Sequence, residues 1–150
     1  MYTPLAVANR FLRLSILNQV GCQKLTFLAY GHWFAKYRER LTNERPMAWE
    51  NGPAFVSLYT LLSPAKNHQI HGPIYFADGS TEMVPDSDVR FAALENEVMS
   101  RYGAMTSREL VLHCMQEHGC WSRFISTTHP THARNEAIPD KLILENFLLH

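Results

Sequence analysis

The chain has 150 residues, 46% of them hydrophobic and 19% charged, with 14 basic and 14 acidic side chains. That length suffices for one domain with its own apolar core, and the composition excludes a disordered chain. A zero net charge disfavours nucleic-acid phosphates as the partner, and the interruption of every apolar window by polar residues leaves no membrane span.

Three cysteines, Cys22, Cys114 and Cys120, are too few for a secreted disulfide framework. The N-terminus MYTPLAVANR lacks the basic stretch and apolar core of a signal peptide. A reducing cytoplasm is therefore the expected setting. Eight histidines would turn the chain positive as pH falls through the ordinary imidazole range.

Thr3-Pro4 supplies a cap and a first-turn proline, and Leu5, Ala8, Phe11 and Leu12 recur at helical spacing, which predicts a helix over 4–15. Asn18 can cap a second helix that is apolar on more than one side, from Cys22 through Trp33, with charge gathering only toward Lys36 and Arg40. Such a helix belongs near the domain centre. Pro46 and Asn51-Gly52-Pro53 punctuate the next stretch of chain, and Pro53 is placed to open a helix carrying Phe55, Val56, Leu58, Tyr59 and Leu62.

Ile74-Tyr75-Phe76 and Thr81-Glu82-Met83-Val84 flank Asp78-Gly79 and read as a small β-hairpin. Asp86 and Ser87 precede a helix bearing Val89, Phe91, Ala92, Leu94, Val98 and Tyr102, with Gly103 placed to stop it. Thr106 to Glu109 form a capping box that opens a helix expected to run to Gly119. Residues 122–136 read as a loop, and Ile138-Pro139-Asp140 begins a last helix bearing Leu142, Ile143, Phe147 and Leu148. The expected fold is mostly α, a single compact domain over 1–150 with about six helices and a small β-hairpin.

Chemistry-bearing patterns are sparse. Cys114 and His118 would share a helix face and, with Cys120 and His129 or His132, could make a zinc site, but the spacing matches no established zinc pattern. In the plainer reading Cys114 is a buried small hydrophobe, and no metal is assigned. Ser57, Ser63 and Ser100 lack the surroundings of an activated nucleophile. Asp86 and Asp88 read as helix-capping charges rather than an acid–base pair. Lys36, Arg38 and Arg40 form a local basic patch, and a helical hairpin over 106–126 is the remaining nucleic-acid reading; the neutral charge weighs against both.

Aromatic residues are denser, with Tyr30, Trp33, Tyr37, Trp49, Phe55 and Tyr59 crowded into one short part of the chain. Core packing accounts for most of them; any that keep a polar tip at the surface are candidate interface anchors.

Several of these residues, in order and spacing, form a larger pattern. Gln23-Lys24-Leu25, Ala29-Tyr30-Gly31, Trp33, Ala48-Trp49, Gly52-Pro53 and Ser57-Leu58-Tyr59 lead it, and Tyr102-Gly103, Glu109-Leu110, Trp121, Ile138-Pro139-Asp140 and Phe147 complete it. Over residues 5–148 this resembles the Panacea domain, a family also described as phage-associated or SocA-like. The resemblance implies a compact, mostly helical fold and an antitoxin that neutralises a toxin encoded beside it, in bacterial or prophage genomes, by direct protein–protein binding. Handing the toxin to a host protease is a route it implies for some relatives. It implies no catalysis and no cofactor. The positions it singles out for partner binding are Lys24, Tyr30, Trp33, Trp49 and Tyr59, with Gly52 and Pro53 as a structural hinge. Phe27, Cys114-Met115 and Cys120 depart from the family pattern, which has polar groups or a proline there.

Overall fold

A computed structural model describes residues 1–127 and 136–149. Its central element is α2 (Gln19–Tyr37), in which every residue from Gly21 to Trp33 is buried. A helix apolar all round satisfies itself only when covered on all sides, and α1 (Pro4–Leu14), α4 (Val89–Tyr102), α5 (Ser107–Cys114) and α7 (Asp140–Leu149) all pack on it. The Asn18 side chain accepts from Gly21 N–H at 2.9 Å to start α2, and Arg38, in the left-handed region at φ 55°, ends it. Where α7 crosses α2, Gly31 gives the Phe147 ring its seat: a Cβ there would lie 2.1 Å from the ring. No described helix is long and apolar enough to cross a membrane.

Helix α1 starts as its sequence predicts, with the Thr3 hydroxyl accepting from Ala6 N–H at 3.1 Å and Pro4 in the first turn. Helix α4 is capped by Asp88, which accepts from Phe91 N–H at 3.0 Å, and α5 opens on the expected capping box of Thr106 and Glu109. Seven α-helices occur among the described residues, in a mostly α arrangement with one two-stranded antiparallel hairpin.

The hairpin lies elsewhere than the sequence predicts. Strands β1 (Met47–Trp49) and β2 (Gly52–Ala54) pair in the register Met47↔Ala54, Ala48↔Pro53 and Trp49↔Gly52. Pro53 is thus a strand residue, and α3 (Val56–Leu62) begins only after it. The cause is a side chain from α2. The Gln23 amide donates to Phe55 O at 3.0 Å and accepts from Phe55 N–H at 2.8 Å, which holds the backbone extended until Glu44 accepts from Ser57 N–H at 3.0 Å.

Residues 74–84 turn at Asp78-Gly79 without pairing as strands. Buried Asn9 of α1 takes the polar groups a hairpin would have used, accepting from Ile74 N–H at 2.8 Å and donating to Ile74 O at 3.2 Å and Glu82 O at 2.9 Å. Helix α5 stops at Cys114 instead of Gly119, and α6 (Cys120–Thr127) occupies part of the stretch expected as a loop. Its Phe124 turns into the core, with Trp121 and Ile125 packed against it.

Candidate functional site

The polar pair Gln23-Lys24 interrupts the apolar run of α2 where the helix meets the β1–β2 hairpin. Gln23 is consumed by the Phe55 backbone. Lys24 is only 4% exposed, and its ammonium donates to Pro53 O at 2.9 Å. Burial pulls its pKa from 10.5 down to about 8, with the Cys114 thiol beside it acting in the opposite direction.

The hairpin is shaped around this ammonium. Gly52 has φ +104°, a region that other residues rarely occupy, and a Cβ on it would lie 3.1 Å from Lys24 Nζ and 3.2 Å from Met115 Cγ. The indole of Trp49 meets Tyr59 of α3 edge-on, with ring centroids 5.4 Å apart and planes at 84°. Trp121 of α6 fixes the strand by donating its indole N–H to Trp49 O at 2.8 Å.

Above Lys24 these elements leave a groove of about 460 Å³, walled by Trp49, Tyr59, Ala54 and Val20 and edged by Asn51, Val111 and Arg108. An adjoining recess of about 450 Å³ shares Lys24, Trp49 and Tyr59 and adds Glu50. Tyr59 is 52% exposed. The groove therefore offers an aromatic wall, a rim cation and a buried cation at its floor.

The five residues singled out for partner binding divide. Lys24, Trp49 and Tyr59 converge on the groove, while Gly52 lines the adjoining recess and Pro53 O accepts from the Lys24 ammonium. Tyr30 and Trp33 do not join them, which corrects the expectation of a shared contact surface. Tyr30 is fully buried, packed between Phe34 and Phe55, and burial raises its phenol to about 12. Trp33 is 4% exposed and lies against Tyr37, with the Arg90 guanidinium 4.8 Å from its ring. The physical reason is that α2 is covered at both positions, whereas its Lys24 side borders the groove.

Cys114 and His118, paired on one helix face in the zinc alternative, do not share one. Because α5 ends at Cys114, His118 falls in a turn with φ 68° and points to solvent, while Cys114 and Cys120 are buried with thiols pushed up to about 12. No group of three His, Cys, Asp or Glu side chains gathers among the described residues; His129 and His132 lie outside them. In the basic patch, Arg40 pairs with Asp140 at 2.7 Å, Lys36 sits 5.5 Å from the Tyr37 ring and Arg38 bonds Ala35 O. Asp86 binds Arg13 at 2.8 Å, and Asp88 is a cap.

Gln23, Asn51, Arg108 and Val111 belong to the site although the sequence did not single them out for it. For Gln23 a signal existed, namely two adjacent polar residues inside an apolar helical run. For Arg108 and Val111 there was none, since their place at the groove depends on how α5 packs against α2. No protein-family model, curated protein or solved structure matches the chain.

Proposed function

We propose that this is an antitoxin-type protein that acts in the cytoplasm by binding a protein toxin, with no catalytic step of its own. The observation that carries the reading is the Trp49–Tyr59 pair standing over Lys24 at an open groove. Amphipathic aromatics beside a cation are the side chains that anchor protein interfaces. The resemblance of the residue pattern to the Panacea domain supports the toxin as partner. Neutralisation needs occupancy alone, because a toxin held on this face is masked; passing it to a host protease would shorten its lifetime as well.

The test is co-expression of the tagged chain with the protein encoded next to it. Recovery of a complex and rescue of growth are expected, and Trp49→Ala with Tyr59→Ala should weaken the complex by about 2 kcal/mol or more. Absence of both complex and rescue overturns the reading, as does turnover by the isolated chain. The toxin's half-life in the complex separates masking, which leaves it unchanged, from delivery, which shortens it.

A further inference from the structure

An ammonium carries three donors. Among the described residues Lys24 makes one hydrogen bond, to a neutral carbonyl, and no carboxylate pairs with it. A buried cation in that condition is incompletely compensated. Its surroundings compensate it only in part: from α5 it faces the Cys114 thiol, which acts toward the charged form, from α3 the Tyr59 ring, and from the rim a second cation, Arg108. Among the described residues no acidic side chain lines the groove over it, and Glu50 lies in the adjoining recess. The group that would complete it is an anion, and the Trp49–Tyr59 wall favours one carried on an apolar scaffold.

We propose that the groove over Lys24 takes an Asp or Glu side chain from an extended segment of the partner protein, with the carboxylate on Lys24 and Arg108 and a neighbouring apolar residue against Trp49 and Tyr59. This rests on the protein-binding reading and specifies the chemistry of the segment bound. A carboxylate at Lys24 forms charge-assisted hydrogen bonds that a neutral amide of the same shape replaces poorly.

The experiment titrates the full chain with the blocked peptide acetyl-Leu-Glu-Phe-Leu-amide and with its Gln counterpart, following tryptophan fluorescence and the ¹³Cε signal of Lys24. The Glu peptide should bind about tenfold more tightly than the Gln peptide near neutral pH and shift the Lys24 signal. That preference should fade as pH rises past about 8, where free Lys24 loses its proton. Lys24→Met should abolish the preference while retaining the weaker Gln-peptide binding. Equal affinity for the two peptides, binding that leaves the Lys24 signal unmoved, or no binding of either overturns the proposal. The wild-type pH profile decides the matter even if the variant folds poorly. Should the peptides fail while co-purification succeeds, the partner is held on another face and the neutralisation reading stands. Should the peptides succeed while co-purification fails, the groove recognises acidic segments of some other protein.

Discussion

Two cations, Arg10 and Lys24, are buried among the described residues, and their surroundings differ. Arg10 of α1, 3% exposed, is fully engaged: Glu95 binds its guanidinium at 2.8 and 3.0 Å, Val84 O and Pro85 O accept at 3.1 and 3.3 Å, and the Phe91 ring lies 5.1 Å away. Lys24, 4% exposed, has one carbonyl at 2.9 Å. The first arrangement ties α1 to α4 and to the segment before it, and is complete without a ligand. The second holds a charge at the floor of an open groove, with a single hydrogen bond among the described residues. Burial alone therefore does not distinguish a structural charge from a binding charge; the number of partners does.

Breaking the paired charge should have the largest effect. Arg10→Met strands Glu95, 6% exposed, without its counter-ion, and is expected to cost about 3–5 kcal/mol, read by chemical denaturation. An unchanged midpoint would remove the contrast on which the comparison rests. Gly52→Ala should cost less, about 1–3 kcal/mol, because it combines a φ of +104° with a methyl 3.1 Å from Lys24 Nζ. The same denaturation measurement checks it, and a neutral result would mean that the hairpin can shift away from the ammonium.

Lys24→Met should destabilise the fold least, since it removes a poorly compensated charge rather than half of a pair. Its pH dependence sharpens the point. The Lys24 pKa falls from 10.5 to about 8 on folding, so the unfolded chain holds a proton between those values that the folded chain has released. The penalty is complete below pH 8 and fades as pH approaches 10.5. Wild type should accordingly gain on Lys24→Met across that window. Of the buried thiols, whose raised pKa values weaken folding in alkali, Cys22 and Cys120 are common to both chains and drop out of the difference, whereas Cys114 interacts with Lys24 and adds to it. Parallel curves would show that Lys24 is solvated.

Much of the fold was legible because its signals are local. Thr3-Pro4, Asn18, Asp88 and the Thr106–Glu109 box act within one helical turn, and the structure uses each of them as a cap. The misplaced hairpin had local support of the same kind in Asp78-Gly79, but Asn9, distant in sequence, engaged the backbone groups that strand pairing required. At Pro53 a plausible helix start yielded to Gln23, which clamps Phe55 in an extended conformation. For the site, Lys24, Trp49, Tyr59, Gly52 and Pro53 came together as a group, whereas Tyr30 and Trp33 carried the same chemical promise and were packed away.

The sequence by itself determined where α1, α2, α4 and α5 begin, that α2 must lie at the centre, and that the chain forms a mostly α domain, because caps and apolar periodicity are set by residues within a few positions of one another. Only the tertiary structure decided which aromatics face outward, which polar side chains clamp distant backbone, and that Lys24 lies buried at the foot of a groove. Those outcomes depend on which segments, far apart in the chain, become neighbours, and a local pattern carries no record of that.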